Sequence, residues 1–184
     1  MSDEDFYGTY KVRALRTNEC VKNFHCGDEE LDDFILHESQ AYSEAMIATT
    51  YLVVDRHQED KVVAYFSLAN DKLSVNDFSS NSEFNRFRKR RFVHEKRLRS
   101  YPAVKLCRLG VDTSLKGKGI GSILLRFLIT LYLSGNRAGC RFITVDAYKT
   151  AIPFYKNSGF VSLSNKADDL PTSPLYFDLK SSYQ

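Results

Sequence analysis

None of the four cysteines, Cys20, Cys26, Cys107 and Cys140, belongs to a C-x-x-C pair, and no two of the four histidines stand at zinc-ligand spacing. Local spacing thus offers no metal site, and none is expected. The first residues, Met1-Ser-Asp-Glu-Asp-Phe6, are acidic and lack the apolar run of a secretory signal. The longest apolar stretch, Ile120 to Leu133, is broken by Ser122, Arg126 and Thr130 and is too short to span a bilayer. No membrane contact and a cytoplasmic location are expected, where thiols stay reduced. A strong charge imbalance is also absent: a net charge of +3 sets up no global field that dictates a partner. No internal repeat and no linker composition interrupts the chain. Residues 1–184 are therefore expected to form a single domain, and 43% hydrophobic with 27% charged residues is enough for a real core.

Two phosphate-binding signatures are missing as well. No G-x-x-x-x-G-K-[ST] loop occurs, and a G-x-G-x-x-G fingerprint started at Gly117 and Gly119 fails at Ser122. What the chain has instead is the stretch from Val104 to Leu133. Val104 and Leu106 hold one phase of a strand alternation, and Leu109 and Val111 hold the other. The slip around Cys107 and Arg108 predicts a β-bulge. Gly117, Lys118, Gly119, Ile120 and Gly121 follow, where alternate glycines leave amide N–H groups unblocked. Ile120, Ile123, Leu124, Phe127, Leu128 and Leu131 then mark the stripe of a core-facing helix. Free amides at a helix N-terminus favour a phosphate or diphosphate. Taken alone, the turn reads equally well as an ordinary glycine turn before a core helix.

A second element lies downstream. Phe142 to Ala147 reads as a strand, and Thr150-Ala-Ile-Pro-Phe-Tyr-Lys-Asn-Ser-Gly159-Phe160 as a short helix. Thr150 is its expected cap, Pro153 is tolerated in the first turn, and Gly159 closes it in the left-handed conformation. Lys116-x-x-Gly119-x-Gly121 after Arg108-Leu-Gly-Val-Asp112 resembles the acyl-CoA signature [Q/R]-x-x-G-x-[G/A] of the GNAT-type N-acetyltransferases, with Lys116 where the family has Gln or Arg. A-x-x-F-Y-x-x-x-G-F resembles that family's later motif.

The rest of the chain fits that order. Tyr10 to Leu15 alternates as a first strand. Asp28 is an N-cap for a helix whose apolar face is Leu31, Phe34 and Ile35. Thr49 to Asp55 and Lys61 to Leu68 read as a hairpin across His57-Gln-Glu-Asp60. Phe84 to Arg99 is dense in Arg and Lys with interleaved aromatics. It reads either as a phosphate-attracting, RNA-steering segment or as a solvated helix face. Tyr101-Pro102 ends it. Ser134-Gly135 closes the long helix. Phe160 to Leu163 and Leu175 to Leu179 supply two last strands, with Pro171 and Pro174 in their connection. The fold class is α/β (α+β). By the resemblance it is a GNAT-like mixed, mostly antiparallel central sheet, splayed between strands 4 and 5 and flanked by helices.

The resemblance also implies chemistry. Acetyl-CoA is the implied donor, its diphosphate on the amides of Lys116, Gly117, Lys118, Gly119, Ile120, Gly121 and Ser122. The backbone of Leu109, Gly110 and Val111 pairs with its pantetheine amides as an added strand does. A primary amine attacks the thioester directly, and Tyr155 matches the family's acid for the departing thiolate. A phenol with a pKa of about 10 stays protonated at neutral pH. Its other reading is a packed aromatic. For Cys107 a nucleophilic role is the alternative, and a packed, inert thiol the expectation. Asp112, Asp146 and Glu38 are candidate bases, each with a structural alternative. Phe24-His-Cys-Gly-Asp-Glu-Glu-Leu-Asp-Asp-Phe-Ile35, Arg108 to Asp112 and the late D-A-x-x-x-A-x-x-F-Y motif resemble the toxin-like branch, which acetylates the α-amine of aminoacyl-tRNA. Arg88, Lys89, Arg90 and Arg91 are then the candidate RNA contacts, and an antitoxin and a homodimer the candidate protein partners. A small-molecule or protein amine is the alternative acceptor. A non-catalytic CoA-binding or interaction module is the alternative of another class.

Overall fold

The computed structural model describes residues 1–58, 61–92, 98–136, 138–163 and 171–183. Its elements in chain order are α1 (Asp3–Thr9), β1 (Tyr10–Ala14), α2 (Glu29–Asp33), a π-helical turn (Phe34–Glu38), α3 (Ser39–Glu44), β2 (Thr49–Asp55), β3 (Val62–Ser74), α4 (Asn81–Arg91), β4 (Ser100–Val111), α5 (Ile120–Ser134), β5 (Phe142–Tyr148), α6 (Ile152–Asn157), β6 (Val161–Ser162) and β7 (Thr172–Asp178). Residues 59–60 of the β2–β3 connection and 93–97 of the basic run lie outside the described residues.

The seven strands join in the order β1-β2-β3-β4-β5-β7-β6. β1 with β2, β2 with β3, β5 with β7 and β6 with β7 pair antiparallel. β4 and β5 pair parallel, over only Ala103, Val104 and Lys105 against Phe142, Ile143 and Thr144. This is the mixed, mostly antiparallel sheet that the resemblance implied. No described helix is long and apolar enough to cross a membrane. The residues cluster into two compact units, Met1–Ala69 with Leu106–Leu128, and Asn70–Lys105 with Ile129–Gln184.

In the first unit, Asp28 caps α2 as expected, its carboxylate accepting from the Leu31 amide at 3.1 Å. Phe34 and Ile35 are each 1% exposed and pack with Val21, Phe24, Leu52, Val54, Val62 and Tyr65. The π-helical turn at Phe34–Glu38 was not legible in the apolar spacing, because one extra residue in a turn leaves hydrophobicity unchanged. Tyr65 is fully buried between Phe24 (5.3 Å) and Phe34 (6.1 Å), and its hydroxyl donates to the Leu31 carbonyl at 2.6 Å. On the other phase of β3, Phe66 stacks on Tyr51 and faces Phe127 of α5. Ile120, Ile123, Leu124 and Leu128 are buried as the stripe requires, and Leu125 joins them. An Asp3–Arg126 ion pair ties α1 to α5.

In the second unit, Leu73, Phe78, Phe84, Phe87, Tyr101, Ala103, Phe142, Leu163 and Tyr176 form the core. Two aromatics of the basic run therefore face inward from α4. Leu131, expected on the apolar stripe, is instead 36% exposed. The final strand also starts earlier than expected and contains Pro174. A strand residue turns its N–H and C=O to the same edge, and the Pro174 carbonyl accepts from Leu163 at 2.9 Å. The missing N–H therefore faces the β6 side, beyond the end of that two-residue strand, and the β5 ladder is untouched. Asp178 at the end of β7 holds both Arg91 (3.1 Å) and Arg141 (3.0 Å).

Candidate active site

The glycine turn is built as its composition suggests. Gly117 and Gly119 have φ of +76° and +82°, where an L side chain is strained, and no atom lies within 4 Å of where a Cβ would stand on either. The backbone there is bare and open. The amides of Lys116 and Lys118 are already used inside the turn, donating to the carbonyls of Thr113 and Leu115 at 3.3 Å. The ladder of α5 begins when Ile123 donates to Gly119 at 3.1 Å. The amides of Ile120, Gly121 and Ser122 therefore have no backbone partner among the described residues, at the positive end of a 15-residue helix. The arrangement fits a diphosphate.

The early string Phe24-His-Cys-Gly-Asp28 is docked onto that turn. The His25 carbonyl accepts from the Thr113 amide at 2.9 Å. A Cβ on Gly27, at φ +79°, would stand 3.3 Å from the Lys116 ammonium. Asp32 fixes the string from beneath, accepting from the Cys26 amide and from His25 Nδ1, both at 2.7 Å. Burial pushes the Asp32 pKa up, but the Cys26 and His25 hydrogen bonds outweigh it and hold the carboxyl below its ordinary value. The folded state thus gains stability from ionised Asp32 above the ordinary carboxylate range and loses it as pH falls through the lowered value. Asp32→Asn puts an amide N–H where one of two donors must find an acceptor. It is expected to destabilise by about 2 kcal/mol at pH 7. In urea melts, the gap from wild type should close below about pH 4; a gap that stays constant down to pH 3 would show that Asp32 does not act through its charge.

Along β4 the expected phases are corrected. Gly110, not Leu109 or Val111, is the buried residue, and two consecutive buried residues, Ala103 and Val104, mark where the alternation slips. Among the described pairings a register shift lies elsewhere, at Val53/Val54 between β2 and β3. A Cβ on Gly110 would lie 2.7 Å from Cε1 of Tyr65 and 3.2 Å from Cζ of Phe24. Packing alone requires this glycine. Leu109 and Val111, on the other phase, are half-buried. Arg108 lays its guanidinium 3.8 Å over the Phe34 ring and 5.4 Å from that of Tyr42. Asp112, one candidate base, accepts from the Ser114 amide (3.0 Å) and hydroxyl (2.6 Å), a turn-capping role. Leu109 to Val111 and Lys116 to Ser122 thus share the first unit.

Tyr155 and the basic cluster lie in the second unit. Tyr155, on α6, is 7% exposed beside Phe154 and Phe160. Burial pushes its pKa up to about 12. Thr150 is not the cap of α6: the chain already turns at Lys149–Ala151, so Thr150 lies inside a 3-10 turn and Ala151 holds the cap position without a side-chain bond. Pro153 and Gly159 do what was expected of them. Gly159 has φ +89°, and Phe160 donates back to the Tyr155 carbonyl at 3.1 Å. Asp146, another candidate base, meets Lys105 at 2.5 Å. On α4, Lys89 and Arg90 are exposed, and Arg88 lies partly over the Phe84 ring. Arg91 is committed inward, to Asp178, to the Tyr176 hydroxyl (2.8 Å) and over the Phe87 ring (4.2 Å).

With this geometry in hand, residues 91–169 match the acetyltransferase (GNAT) domain family. That stretch is similar to GNAT acetyltransferase domains. The likeness of fold extends over nearly the whole length. A tyrosine-to-phenylalanine mutant of KacT is similar with a TM-score of 0.75 at 20% identity, covering 96% of this chain and 98% of that one. AtaT complexed with acetyl-methionyl-tRNAfMet gives 0.74 at 24% identity, over 95% and 97%. An AtaT mutant bound to the C-terminus of the antitoxin AtaR and acetyl-CoA gives 0.71 at 22%, over 94% and 95%. Sequence reasoning did not find the His25–Asp32 pair or the aromatic seat of Arg108. Each joins residues from separate elements, and no spacing within one element announces them.

Proposed function

We propose that residues 1–184 act as one GNAT domain that moves the acetyl group of acetyl-CoA to the α-amine of an aminoacyl-tRNA. One observation carries this reading: likeness of fold over nearly the whole chain to AtaT complexed with acetyl-methionyl-tRNAfMet. The open glycine turn and the exposed cations of α4 support it.

In this reading the diphosphate of acetyl-CoA rests on the amides from Gly119 to Ser122, and the pantetheine pairs with the backbone of Leu109, Gly110 and Val111. The amine, once unprotonated, attacks the thioester carbonyl. The C–N bond forms, the C–S bond breaks, and the amine's surplus proton passes to solvent while the thiolate takes one up. Tyr155 serves the leaving sulfur. A proton moving from a phenol near 12 to an alkyl thiol near 8.5 runs uphill by about 5 kcal/mol. Tyr155 therefore donates a hydrogen bond to the sulfur in the transition state and keeps its proton.

Lys89 and Arg90, with Arg88 beside them, take phosphates of the tRNA. Binding should weaken steeply with salt, and Lys89→Gln with Arg90→Gln should lower affinity for all tRNAs alike and flatten the salt slope by about two. Filter binding across a salt series measures this; an unchanged slope would remove α4 from the RNA surface. The decisive experiment is acetyl transfer from labelled acetyl-CoA to pooled aminoacyl-tRNA, with deacylated tRNA as the control. Label on a polyamine or a protein lysine in place of the tRNA would favour the other acceptor class, and CoA binding without any transfer would favour a non-catalytic module. An antitoxin that masks the basic helix, and a homodimer, are the protein partners proposed with this reading.

A further inference from the structure

Arg108 is a half-buried cation of the first unit. It has no ion-pair or hydrogen-bond partner among the described residues, and its Nε is buried with its N–H unused. Its plane is instead seated on Phe34 and Tyr42, whose rings are 5.3 Å apart at 81°. Such a seat holds a guanidinium rigidly while leaving all five donors unspent. The helix beneath carries the π-helical turn from Phe34, an irregularity that frequently marks a functional site.

The surroundings lack an internal partner too. Gly110, two residues on from Arg108, faces the Tyr65 ring; Ser67 lies two residues beyond Tyr65 on that face, and Thr50 pairs directly with Ser67. Thr50 and Ser67 are 1% and 0% exposed, and both hydroxyls are without a hydrogen-bond partner among the described residues. One face of β2, β3 and β4 thus carries two hydroxyls and a guanidinium that the described residues leave unsatisfied. Buried polar groups are normally paired, so unpaired ones call for a ligand or water. Arg108 also comes directly before Leu109 to Val111, the residues placed against the pantetheine.

We propose that Arg108 is a specificity-determining residue that donates to an acceptor oxygen close to the reacting amine, either the acyl carbonyl or the terminal phosphodiester of the aminoacyl end. This rests on the proposed acceptor. A plain alkylamine offers no such oxygen, so Arg108 would discriminate against it.

The test is Arg108→Met, which keeps an apolar stem on Phe34 and Tyr42 and removes the donors, alongside Arg108→Lys. Three acceptors are compared: aminoacyl-tRNA, methionine methyl ester, and 3-(methylthio)propylamine, which matches the ester but lacks its carbonyl. Arg108→Met is expected to raise KM at least about tenfold for the oxygen-bearing acceptors. It should leave kcat, the alkylamine KM and the acetyl-CoA dissociation constant within about twofold, and Arg108→Lys should recover part of the loss. A rise for ester and tRNA alike assigns the carbonyl; a rise for tRNA alone assigns the phosphodiester. Unchanged KM for both, or an equal loss on all three acceptors, overturns the proposal. If wild type acetylates tRNA and the variant does so equally well, only the role of Arg108 falls. If wild type acetylates the alkylamine but neither oxygen-bearing acceptor, the tRNA reading falls with it.

Discussion

Tyr155→Phe is expected to lower kcat by about 10²–10³-fold while leaving the fold and the affinity for acetyl-CoA unchanged. The substitution removes one oxygen from a side chain that is 7% exposed and packed between Phe154 and Phe160, so the aromatic contacts survive. The hydroxyl has no polar neighbour that accounts for its raised pKa, which comes from burial alone. A group held protonated up to about pH 12 contributes no alkaline limb to a rate profile at lower pH. The acid limb of kcat/KM should belong to the acceptor amine, whose unprotonated form attacks, and its position should be the same in wild type and Tyr155→Phe. Stopped-flow detection of released thiol from pH 6 to 10 measures both. Full turnover by the variant would take Tyr155 out of the chemistry, and a shifted acid limb would mean that it handles the amine's proton instead of the sulfur.

Gly110→Ala should produce a large loss of stability from a single methyl group, about 1–3 kcal/mol or a fall of roughly 2–12 °C in Tm. The new Cβ would stand 2.7 Å from the Tyr65 ring. That ring cannot step aside, because it is fully buried and tethered through its hydroxyl to the Leu31 carbonyl. Relief then has to come from β4 itself, which would displace the backbone of Leu109 to Val111 and weaken acetyl-CoA binding. Combining Gly110→Ala with Tyr65→Leu, which removes the ring carbons at issue, should cost less than the sum of the two single changes. Strict additivity, or an unchanged Tm for Gly110→Ala, would show that the strand accommodates a side chain there. Gly119 differs: open space surrounds it, and its constraint is a φ of +82°.

Much of this protein could be read along the chain. The Asp28 cap, most of the buried stripe of α5 and the left-handed Gly159 follow from local propensity and period, which act over a few residues. The errors share one origin. Thr150 falls inside a turn rather than ahead of it, Leu131 is exposed, and Pro174 lies in a strand whose neighbour ends just before its missing N–H would be needed. Each depends on what lies across space, which no local pattern encodes. The same holds for the candidate site. The residue types for a glycine turn and a phenol were visible in the chain, because the lack of a Cβ and a neutral phenol are properties of single residues. Only the folded chain turned Arg91 inward to Asp178, seated Arg108 on Phe34 and Tyr42, and set Gly110 against Tyr65. A charge or a glycine in sequence does not name its partner: the partner is whichever group the packed core leaves within a few ångströms.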